Sequence, residues 1–229
     1  MNKKAIIRNF SRCAHLYDKY ADVQEETARQ LLGTIRKDGF ADILEVGCGT
    51  GNYTRLLRDK FPDAKITALD ISGRMIEVAR QKLNPENIEF IVEDAEEAAL
   101  KQKFDLITSN ACLQWFDDPE AAIAKYKRLL KPSGVISFSV FGPLTYRELN
   151  SAMAGVLGGA AIPASGFIGK EMIEEMLLRN FKEISIKEKV IRESLPGLKG
   201  LLDKIKYTGV RGDTGRERRG EGHRPGKGG

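Results

Sequence analysis

The sequence has little of what would staple a chain or embed it in a membrane. Its 229 residues hold three cysteines, Cys13, Cys48 and Cys112. An odd number without metal-ligand spacing argues against a disulfide framework and a cysteine-built metal site, and fits a reducing cytoplasm. No apolar run approaches the ~20 residues of a membrane span. Residues Met1 to Phe10 carry two lysines with no long apolar segment behind them, which argues against a secretory signal. Charge of one sign is also scarce. The formal charge is +5; Gly212 to Gly229 holds five Lys or Arg against three Asp or Glu, so this stretch carries +2 and the rest +3. The remaining charges are interspersed, without a block of one sign. That pattern does not single out nucleic acid, although a mildly basic body steers toward an acidic partner.

What is present is the profile of a globular domain, 30% charged and 41% hydrophobic. Through the middle of the chain, strand and helix patterns alternate. Apolar strands are predicted at 43–46, 65–70, 88–92, 104–108 and 135–141. Helices are predicted at 52–61, after the N-cap residue Ser72 with Met75, Ile76, Ala79 and Leu83 at helical spacing, and from Pro119 to Leu130 with Pro132 as the stop. This repetition predicts an α/β fold, a doubly wound parallel sheet with helices on both faces. Before it, 5–36 reads as two helices parted near Tyr20-Ala21-Asp22. After it, 146–157, 170–178 and 198–206 read as helices, and 181–190 alternates like a sixth strand. The expected organisation is one domain over 1–211, with a helical cap (1–38), a core (39–141) and further helices and a strand (142–211). Gly212 to Gly229 has no aliphatic residue, Phe, Tyr or Trp and seven glycines, so it is expected to be disordered.

Chemistry concentrates at the predicted strand ends. Leu44-Glu45-Val46-Gly47-Cys48-Gly49-Thr50-Gly51-Asn52 turns out of the first strand. Glycines there allow a tight turn and close backbone approach to a ligand. The spacing G-x-G-x-G, with Asn52 next and Glu45 inside the strand end, departs from the G-x-G-x-x-G dinucleotide fingerprint. On its own the loop is equally a simple tight turn. Asp70 ends the second strand, nineteen residues after Gly51, where a carboxylate accepts ribose hydroxyls. Asp94-Ala95-Glu96 follows the third strand, placed for an adenine amino group, and Ile71 and Met75 offer apolar contact to the ring. Singly, Asp70 is as well explained as a helix N-terminal charge and Asp94 as a solvated loop acid. Together they sit at the carboxyl ends of successive strands, where open α/β sheets bind ligands.

This constellation resembles the class I S-adenosylmethionine-dependent methyltransferases over roughly residues 40 to 141. The resemblance implies that Glu45, Gly47, Gly49 and Gly51 line the methionine moiety, that Asp70 holds the ribose, and that Asp94 and Ala95 hold the adenine. It implies S-adenosylmethionine as cofactor, S-adenosylhomocysteine as product, and no metal. Outside that core, the N-terminal Phe10, Ala14, Tyr17-Asp18, Ala21 and Gln24, the run Ser109 to Phe116, Phe138 to Leu149, and Leu195 to Gly209 resemble the malonyl-acyl-carrier-protein O-methyltransferase family of biotin synthesis. The resemblance implies methylation of the free carboxylate of a malonyl thioester, with malonyl-acyl carrier protein as partner and malonyl-coenzyme A as a second form of it.

Such a reaction needs no general base, because a carboxylate is already ionised at neutral pH. A catalytic histidine is therefore dispensable, and the chain has only His15 and His223. Catalysis rests on alignment and exclusion of water. Arg147 is the candidate carboxylate clamp, since a guanidinium fork binds carboxylates bidentately; a solvated helix arginine is the other reading. Tyr17 is the candidate for orienting the carboxylate from the cap, or else a packing tyrosine. Asn110 and Gln114, on the segment after the fourth strand, are expected beside the transferred methyl, or as loop caps. Trp115 is placed at the substrate or in the core, and Phe116 more in the core. Lys170, Arg179 and Lys199, with Arg147, are expected to present positive charge near the entrance. The place of an amino-methylating Asn/Asp-Pro-Pro-Tyr motif reads Ser109-Asn110-Ala111-Cys112, against nucleic-acid methylation. The resemblance also implies a final antiparallel strand after Gly209, which Gly212 to Gly229 has no residues to form. The strand at 181–190 would then lack its neighbour, the sheet would expose an edge, and the chain is expected to melt below ~60 °C.

Overall fold

The computed structural model describes residues 2–84, 86–157 and 163–209. Five strands form its sheet: β1 (Asp42–Val46), β2 (Lys65–Asp70), β3 (Ile88–Val92), β4 (Phe104–Asn110) and β5 (Leu130–Ser139). Their order is β3-β2-β1-β4-β5 and every pairing is parallel. The order reverses between β1 and β4, so the carboxyl ends of these two strands flank the crevice where such sheets take a ligand. Ile43, Leu44, Val46, Ile66 and Leu69 are all fully buried, which is why these strands read as near-continuous apolar runs.

Side-chain alternation divides the core in two. On one face Ile43, Ile66, Ala68 and Leu106 pack against α3 (Asp22–Thr34), α4 (Asn52–Lys60) and α5 (Gly73–Lys82) through Leu31, Leu57 and Ile76. On the other, Leu44, Val46, Leu69 and Ile107 meet Ala122 and Tyr126 of α6 (Pro119–Leu129). The predicted cap at Ser72 is present, its hydroxyl accepting from the Met75 amide. Asp118 caps α6 in the same way with Pro119 in the first turn, and α6 ends before the Pro132 that stops it.

The cap differs from the two-helix expectation. It contains α1 (Lys3–Cys13), the four-residue α2 (Tyr17–Tyr20) and α3, because the chain also bends at Ala14–Leu16. After the sheet come α7 (Arg147–Leu157), a 3₁₀ turn (Pro163–Gly166), α8 (Lys170–Asn180) and α9 (Gly197–Tyr207). β5 starts earlier than predicted: Leu130 already pairs with Phe104, and an irregularity around Ser133, at φ 63°, lets the strand pass Pro132 before regular pairing resumes at Val135. A second correction concerns 181–190, which forms no regular secondary structure and pairs with no strand. Alternation supplies an edge, but without a neighbour to take its amides it does not make a sixth strand. The stretch from Gly212 to Gly229 lies outside the described residues. Among those described, no helix is long and apolar enough to cross a membrane.

Candidate functional site

The loop after β1 is shaped by its glycines. The Gly47 and Cys48 amides both donate to the Leu69 carbonyl, at 2.7 and 2.9 Å, clipping the loop to the end of β2. Gly47 has φ 74°, and a Cβ there would lie 2.3 Å from Cys112 Sγ. Gly51, at φ 83°, opens α4 so close to α5 that a Cβ would meet Leu83 Cδ1 at 2.8 Å. Gly49 points its amide at Asp70 Oδ2, 2.9 Å away, and the Ser72 amide donates to Oδ1 at 2.8 Å. Asp70 is thus aimed by two backbone donors at the sheet's switch point.

Two acids stand here without a cation beside either, Glu45 buried and Asp70 half-buried. Burial pushes the Asp70 carboxyl up to about 6, with its two backbone donors opposing the shift. Burial pushes Glu45 further, to about 8, and the nearby Asp70 adds to it. Glu45 Oε2 is enclosed with no hydrogen-bond partner. An unmet buried acceptor is costly, so its persistence at a strand end marks a place built for a donor.

Across the loop stands the cap. Tyr17 and Gln24 face Gly47–Thr50 and Asn110 over a narrow cleft with room for about 50 Å³. Burial raises the Tyr17 phenol well above its ordinary range, so it keeps its proton at neutral pH. Gln24 Oε1 is a second buried acceptor without a partner. Asn110 is held at both ends of its amide: Nδ2 donates to the Gln24 carbonyl at 3.0 Å and Oδ1 accepts from Ser139 Oγ at 2.7 Å.

The structure brings Tyr17, Gly47, Gly49 and Asn110 to this cleft, with Glu45 and Asp70 behind the loop. Met75 is buried against Cys13 and Ala14, with Phe10 and Tyr17 alongside, so α1 covers it; Ile71 is half-buried next to it in sequence. Asp94 pairs with Lys3 of α1 at 2.6 Å, while its Oδ1 accepts from the Glu96 amide. Lys3 also reaches Glu96 at 2.8 Å. Ala95 is buried, and its carbonyl accepts from Tyr126 Oη at 2.9 Å. Gln114 is buried in the 3₁₀ turn Leu113–Trp115; its Nε2 donates to the Ala111 carbonyl and its Oε1 has no partner. Trp115 stands edge-on between Phe10 and Phe167, at 5.8 and 5.1 Å between ring centres. Phe116 packs on both sides of α6 in the core.

Arg147 is not brought to the cleft. It begins α7 half-exposed and its Nε donates to Glu148 at 2.9 Å. Arg179 pairs with Glu120, and Lys170 and Lys199 are exposed. Sequence reasoning also missed partners. Lys3 and Lys82 carry no local signature, and the N-terminal motif that holds Tyr17-Asp18 and Gln24 does not tell what those polar side chains meet.

Comparison with known proteins completes the site's context. The family described as "Methyltransferase domain" matches residues 44–138. A malonyl-[acyl-carrier protein] O-methyltransferase of Acetivibrio thermocellus is 49% identical over 152 residues, 66% of this chain, and the match spans 54% of that relative, about half its length. Its counterpart in Priestia megaterium is 35% identical over 226 residues, covering 92% of this chain and 82% of the relative. Among solved structures, the N-methyltransferase NodS of Bradyrhizobium japonicum, in complex with S-adenosyl-L-homocysteine, shares the fold with a TM-score of 0.59 at 22% identity, over 76% of this chain and 85% of that one. With strand order, glycine loop and near full-length similarity in agreement, the chain belongs to the malonyl-[acyl-carrier protein] O-methyltransferase family of class I S-adenosylmethionine-dependent methyltransferases.

Proposed function

We propose that the protein transfers a methyl group from S-adenosylmethionine to the free carboxylate of malonyl-acyl carrier protein, giving the methyl ester that primes biotin synthesis. The observation that carries this reading is the pairing of a cradle with a roof. Glycines that tolerate no Cβ and two acids lie on one side, and a protonated tyrosine lies across a narrow cleft.

The residues fit the cofactor. The unpartnered Glu45 and Gln24 oxygens suit an amino-acid ammonium beside Gly47, Gly49 and Gly51. Asp70 suits the ribose, since its carboxylate retains acceptor capacity beyond two backbone donors. Ile71 suits the adenine ring, with Asp94 and Ala95 at its edge and Lys3 as the counter-ion of Asp94, while Met75, covered by α1, backs that wall. When bound, S-adenosylmethionine supplies an activated methyl carbon: the oxygen–carbon bond forms as carbon–sulfur breaks, the electron pair stays on sulfur, and no proton moves.

The chain's own tasks are then binding and alignment. Tyr17 donates its phenolic hydrogen to the reacting carboxylate and holds it in line. Asn110, fixed at both ends, forms the floor beside the transferred methyl. Gln114 and Trp115 support the acyl side with Phe10 and Phe167. Arg147 supplies the cation that captures the carboxylate as it enters. Its pairing with Glu148 is exposed and so worth little, and a bidentate substrate contact displaces it readily.

The test is methyl transfer from labelled S-adenosylmethionine to malonyl-acyl carrier protein, with acetyl-acyl carrier protein as control. Label on the malonyl species alone is expected; absence of label with cofactor bound would refute the substrate. Malonyl-coenzyme A, which presents the same carboxylate, is expected to react with a higher KM. In the same assay Arg147→Ala is expected to raise KM about 10–100-fold, the loss of a charge-assisted bidentate contact.

A further inference from the structure

The motif Tyr17-Asp18 is only half absorbed by this mechanism. Tyr17 faces the cleft, and the next side chain grips Thr50 and Asn52 at the cleft's other wall. Asp18 Oδ1 accepts from Thr50 Oγ1 at 2.5 Å and from Asn52 Nδ2 at 2.9 Å. Its Oδ2 accepts from Lys82 Nζ at 2.6 Å, and Lys82 also donates to Asn52 Oδ1 at 2.7 Å. Asp18, Asn52 and Lys82 therefore close a ring of hydrogen bonds, with the buried Thr50 as a fourth member.

The partners come from three places: the glycine loop, the first residue of α4 and the last turn of α5. All three are fixed to the sheet, because the loop is clipped to Leu69 and α5 is capped by Ser72. α2, by contrast, has four residues and no side-chain cap, and its apolar hold is the packing of Tyr17 beside Cys13, Ala14 and Met75 and the stack of Tyr20 on Tyr207. A helix that short does not hold its position by its own backbone hydrogen bonds. Asp18 is the polar tie that sets where α2 stands over the loop, and the tyrosine beside it shares that position. As a simple surface ion pair it would matter little, since Asp18 and Lys82 are 41% and 32% exposed. Its importance lies in geometry: a displacement near 1 Å at an aligning group is costly to rate even where stability hardly changes.

We propose that Asp18 is a positioning residue for methyl transfer, anchoring α2 to Thr50, Asn52 and Lys82 so that Tyr17 is held over the reacting groups. The inference rests on the reading of Tyr17 given above. It requires the effect of Asp18 on turnover to pass through the Tyr17 hydroxyl.

The experiment is a double-mutant cycle of Asp18→Ala and Tyr17→Phe in the full chain. It measures kcat and KM for malonyl-acyl carrier protein, the Kd for S-adenosylhomocysteine, and the melting temperature. Tyr17→Phe is expected to lower kcat about 10–100-fold. Asp18→Ala is expected to lower kcat by a similar factor, with a smaller change in KM, and to cost less than 2-fold when added to Tyr17→Phe. Asp18→Asn keeps an acceptor for Thr50 but turns an amide toward Lys82, so an intermediate loss is expected; it serves as the reporter if the alanine variant fails to fold. Full kcat in both Asp18 variants, or an undiminished loss in the Tyr17→Phe background, overturns the positioning role alone. If Tyr17→Phe itself retains full kcat, the role given to Tyr17 falls and this inference falls with it.

Discussion

The half of the sheet formed by β3, β2 and β1 and the segment that follows β5 obey different rules. In the first, strands are flanked on both faces, and the turns that carry the site are fixed by backbone bonds to the sheet itself. In the second, helices lie on the surface and the irregular stretch 181–190 pairs with no strand. Six of the eight large apolar side chains exposed among the described residues, from Leu144 to Leu202, belong to it. The difference teaches where the binding machinery is insured. The cofactor cradle is specified by residues within a few positions of one another, whereas the acyl side depends on partners far along the chain.

Breaking the cradle is expected to produce the largest effect. Gly47→Ala places a methyl group 2.3 Å from Cys112 Sγ at φ 74°, combining overpacking with a left-handed backbone. A loss of roughly 2–5 kcal/mol in stability is expected from such a combination. Cofactor binding should vanish with it, as read by thermal melting and calorimetric titration.

A subtler probe is pH. Glu45 titrates at about 8 in the fold against 4.5 ordinarily. Between these values the folded chain holds a proton that the unfolded chain has released. Stability of the ligand-free protein must therefore fall as pH rises across that window. Asp70, at about 6 against 3.8, contributes the same sign over a lower range. Glu45→Gln is expected to flatten the decline between pH 5 and 8 and to raise the melting temperature at pH 8, a gain on the order of a few kcal/mol. It should also weaken cofactor binding, since the acid's cost to the fold is what its ligand recovers. An unchanged pH slope would show that Glu45 is solvated.

The smallest effect is expected on the other side of the comparison. Leu198→Ser and Leu202→Ser change side chains that are 65% and 51% exposed on α9, and each should alter stability by no more than about 0.5 kcal/mol. A larger loss would mean that α9 packs more tightly than its exposure indicates.

The same contrast explains what could be read from the sequence. The order of strands, the N-cap at Ser72 and the residues of the glycine loop are local patterns, and each corresponds to an observed element. Phe181 to Val190 has an equally good local pattern, but strand formation is a property of a pair, and one member cannot announce the other. β5 starts ahead of its predicted first residue, Val135, because the pattern assigns Leu130 to the end of α6 and Pro132 to its stop; here an irregularity at Ser133 carries the strand past that proline. The site divided similarly. Glu45, Asp70 and Asn110 stand at strand ends as expected, whereas Arg147 pairs with its sequence neighbour, an outcome that side-chain type alone does not decide. The partners of Asp18 and Asp94 lie 32 to 91 residues away, beyond any periodicity.

The ties of the cap also have a consequence for how the molecule is made. Lys3 meets Asp94 across 91 positions, and Lys204 of α9 meets Asp22 across 182. Contacts of such separation form late, because the intervening chain must first be ordered. On the ribosome, α9 must emerge before Lys204 can meet Asp22. The cap is therefore tied first to the glycine loop and α5, through Asp18, and receives its tie from α9 only after that helix has been made.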